Sequence, residues 1–161
     1  WQARIGKYSI PKDLLHKDIP EEEWRRLGER AAIAQVDWTI TGDPYFYQHR
    51  HTPPVVVSDT PDGREDWIFY NSDQFSGTRL VVAPGRTCTT QDAGAYSLLV
   101  WTGKGTFDGH AIEGRNPNLD ELVVTHGKAT QPLSVANTGS EPLEILKFFG
   151  KGVNPDCPRL G

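Results

Sequence analysis

Two apolar runs in the second half of the chain dominate its hydrophobic pattern. Residues 80–85 and 95–105 are rich in valine, leucine and aromatic side chains, and each run is closed by glycine. Short runs of this composition that end in turn residues are typical of β-strands. Just after them, Asp108-Gly109 lies between strand-like residues. This predicts a two-residue hairpin, because glycine adopts the positive φ of a primed turn.

The remaining apolar segments of this half are equally short. They occupy residues 122–125, 133–139 and 143–149. Earlier in the chain, 55–57 and 67–70 are strand-like as well. Short strands at regular spacing are typical of a closed or two-sheet β structure. We therefore expect a mainly β protein.

One amphipathic helix is predicted near the N-terminus. Pro20 suits the first helical position, and the three glutamates that follow complement the positive end of the helix dipole. Apolar residues then recur at spacings of three and four, at Trp24, Leu27, Ala31 and Ala34. This spacing places them on one face, which we expect to pack outside the β structure.

The pattern divides the chain into three parts. Residues 1–36 form an N-terminal arm and the helix, 37–150 the β-barrel, and 151–161 an irregular tail with prolines and glycines. The aromatic run from Trp38 to Tyr47 is expected to cover a sheet edge or an oligomer surface. The sequence begins at Trp1 without methionine, so we expect a processed or partial chain.

Composition disfavours two kinds of partner. The 161 residues include 17 Lys+Arg and 21 Asp+Glu, a formal net charge of -4, so nucleic-acid binding is disfavoured. No apolar run approaches the roughly 20 residues of a membrane span, and we expect no membrane partner and a cytoplasmic location. The two cysteines, Cys88 and Cys157, are too few for a disulfide scaffold, although one bridge between them stays open.

The order of turns and strands in the second half resembles a cupin jelly roll. The resemblance is carried by Pro84-Gly85 before a strand, by Gly103-Lys104-Gly105 as the hairpin turn of the first cupin motif, and by Asn137-Thr138-Gly139 where the second motif closes. It covers residues 76 to 150 and implies a jelly-roll β-barrel, or double-stranded β-helix. Among cupins, the Lys-Phe-Phe-Gly ending of the last strand is similar to sugar isomerases of the mannose-6-phosphate isomerase type.

The resemblance also locates the positions at which metal-binding cupins carry their ligands. The first motif supplies two histidines one residue apart and a glutamate, and the second supplies a third histidine. In this chain these positions fall on Gln91 and Ala93, on Ser97 or its neighbour Tyr96, and near Leu133. A lone glutamine cannot hold a transition metal. The usual metal motif is therefore degenerate.

The alternation of side chains along a strand predicts which residues line the pocket. Counted from Gln91 and Ala93, the inward set on the next strand is Ser97, Leu99 and Trp101. We therefore predict Gln91, Ser97 and Trp101 as substrate contacts. A jelly-roll interior that is open at one mouth suits a small ligand, which we expect to be a carbohydrate.

Other residues are candidates for a metal site. His49 and His51 have the spacing of two ligands on one strand face, and His126 lies where the second motif would begin. One divalent metal (Zn, Fe or Mn) on these three histidines would polarise a sugar carbonyl. Glu121, Asp92 or Glu113 would then act as the catalytic base that moves a proton between neighbouring carbons, and the sequence does not choose between them.

Two functions of different class follow. The first is a cupin domain with a small-molecule, carbohydrate-type pocket and a binding or structural role, as a single domain or as the C-terminal half of a two-cupin protein. The second is a metal-dependent isomerase of a sugar or sugar phosphate with a rearranged ligand set. Cupins commonly dimerise, so we expect a homodimer in both cases.

Overall fold

The chain divides between His51 and Thr52 into two units, Trp1–His51 and Thr52–Gly161. Within them, the computed structural model describes residues 4–5, 8–9, 20–28, 30–34 and 37–159. The sequence predicts the barrel to begin at residue 37, but the segment that follows this residue is helical. Asp37 caps a helix there, because its side chain accepts hydrogen bonds from the backbone N–H groups of Thr39 and Ile40, both at 3.0 Å.

The first unit contains short strands and short helices. Strands β1 (Arg4–Ile5) and β2 (Tyr8–Ser9) pair antiparallel. The helices are α1 (Glu21–Leu27), α2 (Arg30–Ala34), α3 (Trp38–Thr41) and α4 (Phe46–Arg50). The prediction of one continuous helix is wrong, because Gly28 adopts a φ of 55° and ends α1. Most of the predicted N-terminal arm lies outside the described residues.

The second unit is built almost entirely from strands. They are β3 (Val55–Thr60), β4 (Gly63–Phe69), β5 (Phe75–Val82), β6 (Thr87–Thr90), β7 (Tyr96–Thr102), β8 (Lys104–Phe107), β9 (His110–Glu113), β10 (Glu121–Val124), β11 (Leu133–Asn137) and β12 (Leu143–Gly150). A short helix, α5 (His126–Ala129), joins β10 to β11. Across the described parts of both units, no helix is long and apolar enough to cross a membrane.

The strands of the second unit form two antiparallel sheets. The larger sheet has the order β10-β7-β12-β5-β4-β3 and the smaller one the order β6-β11-β8-β9. From β5 to β12, the chain passes back and forth between the two sheets, and this wrapping of eight strands is a jelly roll. The predicted fold class is therefore confirmed. The β3–β4 hairpin extends the larger sheet beside β5.

The predicted hairpin at Asp108-Gly109 is also confirmed. Phe107 pairs with His110 on either side of the turn. The φ angles of Asp108 and Gly109 are 47° and 83°, and positive values at both central residues are what a type I′ turn requires.

The glycine turn that precedes β8 is not a hairpin. The strands on either side of Gly103, β7 and β8, belong to different sheets, so this residue forms a corner between the sheets with a φ of 82°. At Gly105, an added Cβ would overlap the carbonyl oxygen of Ala136 on the neighbouring strand. Glycine is needed at this second position because β8 and β11 approach so closely.

The apolar core lies between the two sheets. Alternate residues of β7 and β12 point inward, and inward residues of β8, β9 and β11 meet them. These buried side chains include Tyr96, Leu98, Val100, Phe107, Ile112, Leu133, Val135, Leu143, Ile145 and Phe149. Full burial of one such aliphatic or aromatic side chain stabilises the fold by about 1.5–3 kcal/mol.

Asn137 fastens the end of β11 to its surroundings. Its buried side-chain amide donates to the carbonyl oxygens of Val82 at 2.9 Å and Glu141 at 2.8 Å. Its Oδ1 accepts from the backbone N–H of Gly139 at 2.9 Å. The Asn-Thr-Gly sequence that carried part of the resemblance is thus a hydrogen-bonded turn, with a side chain that is fixed by three bonds.

Candidate functional site

A buried charged cluster lies between the two sheets. At its centre is Lys147, which is 1% exposed. Its Nζ lies 2.7 Å from Oε1 of Glu65 and 2.8 Å from Oδ2 of Asp92, and it donates to Oγ1 of Thr90 at 2.8 Å. Thr78 donates its hydroxyl to the same oxygen of Glu65 at 2.6 Å. We call these five residues the Lys147 cluster.

Both sheets contribute to this cluster. Three neighbouring strands of the larger sheet, β4, β5 and β12, carry Glu65, Thr78 and Lys147. The smaller sheet supplies Thr90 at the end of β6, and Asp92 lies in the loop that follows. That loop is held in place because the backbone N–H of Asp92 donates to the carbonyl oxygen of Ala129 at 2.9 Å. The contacts of Lys147 with Thr90 and Asp92 therefore connect the two sheets across the core, whereas its ion pair with Glu65 lies within the larger sheet.

Two aromatic rings flank the buried ammonium. Nζ of Lys147 lies 5.5 Å from the ring centroid of Tyr96 and 5.6 Å from that of Phe149, within the range of cation–π attraction. The hydroxyl of Tyr96 is buried near the carboxyl group of Asp92. Burial raises the pKa of this phenol, and the negative charges of Asp92 and Glu65 raise it further. Tyr96 is therefore neutral.

Asp92 is the cluster member with the altered acidity. Burial raises the pKa of its carboxyl group above the ordinary value, and the charge of Glu65 adds to this, although the ammonium of Lys147 opposes both. Two carboxyl groups thus share one ammonium. A buried carboxyl group in such surroundings exchanges its proton at a higher pH than a surface aspartate does.

A cavity of about 350 Å³ opens beside the cluster, between the β3–β4 hairpin and β6. Most of its lining residues carry hydroxyl or carboxylate groups: Ser58, Thr60, Asp62, Glu65, Thr87 and Thr89. Leu80 and Cys88 complete its side-chain lining. Lysine and arginine are absent from the residues that line it. Glu65 belongs to both the cavity and the Lys147 cluster, so a molecule in the cavity would touch the cluster through this carboxylate.

The two cysteines are separate thiols. Cys88 lies in the cavity wall and Cys157 in the C-terminal tail, and both are free. The bridge that the sequence left open is therefore not formed. Burial raises the pKa of the Cys88 thiol, and the nearby charge of Glu65 raises it further. Cys88 is thus a thiol of lowered reactivity that lines the cavity, and its alkylation rate can report on a molecule bound there.

The predicted inward set on β7 is wrong by one residue. Tyr96, Leu98 and Val100 face the core, whereas Ser97 and Trp101 are exposed on the other face of the sheet. The prediction assumed that the side chains from Gln91 to Trp101 alternate between inside and outside as in one continuous strand. Residues 91–95 instead form a loop between β6 and β7. Alternation does not continue through a loop, and a shift of one residue exchanges the two faces of a strand.

The other predicted substrate and catalytic residues lie in different places. Gln91 is exposed, and its side-chain amide donates to the carbonyl oxygen of Thr130 at 2.9 Å. Asp92 belongs to the Lys147 cluster, whereas Glu121 is exposed on β10, at the edge of the larger sheet. Ser97 and Glu121 line one open groove of about 410 Å³ on the outer face of that sheet. The structure thus brings Ser97 and Glu121 together, but outside the barrel.

The predicted histidine pair does not share a strand face. His49 lies in α4 and His51 directly follows it, and residues two apart in a helix point about 200° apart. A hydrogen bond of 2.6 Å joins His49 Nδ1 to Oδ2 of Asp43, and this contact is the main reason that the pKa of Asp43 is lowered. The ring of His51 stacks on Tyr47, with centroids 4.5 Å apart.

His126, the third predicted metal ligand, is exposed at the start of α5, in the second unit. His49 and His51 belong to the first unit. The role of these three histidines as metal ligands therefore stays a prediction. The strand spacing of His49 and His51, which first suggested it, is absent because His49 lies in a helix.

Comparison with known proteins identifies the fold. No family model and no curated protein matches the sequence. CapF, a capsular polysaccharide assembling protein from Staphylococcus aureus, matches in structure with a TM-score of 0.51 and 15% identity, over 66% of this chain and 33% of CapF. Together with the jelly-roll strand order, this likeness decides the fold. The chain has a cupin fold.

Lower structural similarity extends to proteins that are named as cupins. One is the cupin domain of an XRE family transcriptional regulator from Enterobacter cloacae, with a TM-score of 0.45 and 12% identity over 55% of this chain and 96% of that one. Another is an RmlC-like cupin protein from Ralstonia eutropha, with a TM-score of 0.45 and 10% identity over 68% and 72%. This chain spans about a third of CapF. The finer resemblance to mannose-6-phosphate isomerase stays a prediction.

The residues inside this cupin fold do not fit a metal. Of the motif positions, Tyr96 and Leu133 face the interior, and leucine has no ligand atom. The oxygen atoms of Glu65 and Asp92 do converge, but they converge on the ammonium of Lys147. Within the described ranges of the chain, no group of three or more His, Cys, Asp or Glu residues could hold a metal ion.

The sequence contained a signal for the residues that were missed. In the last strand, Lys147 is in phase with the buried Leu143, Ile145 and Phe149. Glu65 is in phase with the buried Trp67 in the same way. Lysine and glutamate are almost never fully buried unless they are paired. Two opposite charges in the buried phase of two strands therefore predict an internal ion pair.

Proposed function

We propose that this cupin domain binds a small, uncharged, polyhydroxylated molecule of the carbohydrate class in the cavity between the β3–β4 hairpin and β6. The observation that carries the proposal is the chemistry of the lining, in which hydroxyl and carboxylate groups predominate and lysine and arginine are absent. Carboxylates accept hydrogen bonds from sugar hydroxyls. Phosphate groups are bound by basic side chains, so this lining favours a neutral sugar over a sugar phosphate.

Glu65 is the residue best placed to contact such a ligand. Within the described part of the chain, its hydrogen bond from Thr78 and its ion pair with Lys147 both use Oε1. Its second oxygen, Oε2, is therefore available to accept a hydrogen bond from a molecule in the cavity. A volume of about 350 Å³ lies within the range of roughly 300–1,000 Å³ that is usual for ligand pockets.

Calorimetric titration with neutral monosaccharides and with the phosphates of the same sugars tests the proposal. We expect the neutral sugars to bind more tightly than their phosphates. Replacement Cys88→Phe fills the cavity and should abolish binding. The matched control, Val123→Phe, adds a ring on the exposed outer face of the larger sheet and should leave binding unchanged. Tighter binding of the phosphates, or binding that survives Cys88→Phe in a folded variant, would contradict the proposal.

A second measurement uses Cys88 as a reporter. In a Cys157→Ser background, the bound sugar should slow the alkylation of Cys88, because this thiol lines the cavity. A protecting sugar that is recovered unchanged supports a binding domain. Conversion of the sugar to an isomer, dependent on a stoichiometric metal that is lost in His51→Ala, would instead identify an isomerase.

A further inference from the structure

The ammonium of Lys147 has no hydrogen-bond donor left for a ligand. A lysine ammonium carries three N–H donors, and Nζ has three oxygen partners, on Glu65, Asp92 and Thr90, at 2.7, 2.8 and 2.8 Å. The side chain is 1% exposed, so it cannot reach solvent without opening the core. Lys147 is therefore placed as a fixed internal charge and not as a group that binds or reacts with a molecule in the cavity.

The partners of Lys147 are those that a hard divalent cation would take. Carboxylate and hydroxyl oxygens are the ligands preferred by Ca²⁺ and Mn²⁺. Calcium lies about 2.3–2.6 Å from its oxygen ligands, which is a few tenths of an ångström shorter than the contacts of Nζ. The buried hydroxyl of Tyr96, whose pKa responds to the charge of Asp92, is a further oxygen at this place.

The cluster also lies beside the positions at which the resemblance places the ligands of metal-binding cupins. Thr90 pairs directly with Leu133, near which the resemblance places the second-motif histidine. Tyr96, at the position of the first-motif glutamate or its neighbour, lies beneath the ammonium. We propose that Lys147 replaces the metal of this cupin: its ammonium neutralises Glu65 and Asp92, ties the two sheets together and excludes a divalent cation from the interior.

Exclusion follows from the shared oxygen atoms. A divalent cation would need the carboxylates that Lys147 already occupies, and it would then lie close to a positive charge in a region of low dielectric. A cation can therefore enter only if the ammonium is removed. The inference does not depend on the proposed sugar binding, because it concerns the interior and not the cavity ligand.

Replacement Lys147→Met tests the inference. Methionine fills much of the same space and ends one atom short of Nζ, so it removes the charge and frees the oxygen atoms. Chelator-treated proteins are titrated with Mn²⁺, and bound metal is followed by the loss of the EPR signal of free Mn²⁺ and by the shift of the thermal midpoint. The control is Lys128→Met, which removes an exposed ion pair with Asp108.

The expected results differ between the three proteins. Wild type and Lys128→Met should take up no stoichiometric Mn²⁺, whereas Lys147→Met should bind one equivalent and gain thermal stability from it. Adding Asp92→Asn to Lys147→Met should abolish both effects. If Lys147→Met does not fold without metal, its refolding yield should rise with Mn²⁺. Stoichiometric Mn²⁺ in wild type, or a Lys147→Met variant that responds to Mn²⁺ no more than Lys128→Met does, would overturn the inference.

Discussion

Lys147 occupies a position that normally belongs to an apolar side chain. Transfer of an ammonium out of water costs several kcal/mol even after relaxation, and this cost is offset by contacts with Glu65 and Asp92 at 2.7 and 2.8 Å. Such a pair is weak support for net stability, because a well-packed apolar pair can do as well. Loss of one partner is strongly destabilising, because it leaves an uncompensated charge in the core.

The first residue-scale prediction concerns the stability of Lys147→Met without metal. Breaking a buried ion pair typically costs about 3–5 kcal/mol, so the free energy of unfolding should fall by that amount. Lys128→Met removes an ion pair whose lysine side chain is 65% exposed, and it should cost less than about 1 kcal/mol. Urea unfolding at neutral pH measures both. Equal losses in the two variants would show that the Lys147 pair is not effectively buried.

The second residue-scale prediction concerns acid stability. On the outer face of the larger sheet, Asp66 is almost fully buried, and its hydrogen bonds from Arg64 lower the pKa of its carboxyl group. A lowered folded-state pKa means that this contribution to stability is present above the unfolded value, near pH 4, and is lost as the pH falls through the folded-state value.

Asp66→Asn should therefore flatten the fall of unfolding free energy between about pH 4 and pH 2. The matched control is Asp59→Asn, which removes the other partner of Arg64, an exposed carboxylate. The measurement is urea unfolding across this range. An unchanged slope in Asp66→Asn would contradict the assignment.

At the scale of elements, the strands that end in glycine could be predicted from the sequence. Which side chains of each strand point into the core could not. The turn at Asp108-Gly109 could be placed from two residues, because local backbone preference decides it. The inward set on β7 could not, because the loop of residues 91–95 breaks the count. In the same way, Gly103 is a recognisable turn, but sequence does not reveal that it joins two sheets. Both the inward set on β7 and the corner at Gly103 depend on how strands pair in the folded protein. The local sequence pattern does not contain this information.

The element-scale prediction concerns the close approach of β8 and β11. Gly105→Ala would place a methyl group on the Ala136 carbonyl oxygen, and backbone atoms cannot move aside cheaply. We expect the free energy of unfolding to fall by about 1–3 kcal/mol, which is the typical cost of overpacking. Gly127→Ala, in α5 with no atom near the added methyl, is the control and should be neutral or slightly stabilising. Similar thermal midpoints for the two variants would refute the close contact.

At the scale of the molecule, the jelly roll was predicted over residues 76–150, whereas the division of the first unit into several short helices was not. Apolar alternation specifies a sheet with one buried face, whereas α3 and α4 are each about one turn long and carry no amphipathic period. The Lys147 cluster was missed for another reason. Its members come from four separate segments of the chain, and their convergence is a property of the fold.

Oligomeric state is the prediction at this scale. The aromatic run from Trp38 to Tyr47, expected to cover an edge, has Trp38, Tyr45 and Tyr47 exposed. Exposed aromatic residues of this kind are enriched at protein interfaces, and we expect a homodimer. Multi-angle light scattering over a concentration series measures the mass directly. A monomer at the highest concentration would contradict the prediction.

The central claim is that, in this cupin fold, an ammonium occupies the place where metal-binding cupins hold their metal. A crystal structure of protein purified without chelator, with anomalous data collected above the zinc, iron and manganese edges, tests it most directly. We predict Lys147 Nζ between Glu65 and Asp92, with no anomalous peak in the barrel interior. An anomalous peak bound by these two carboxylates, with Lys147 displaced from them, would contradict the claim.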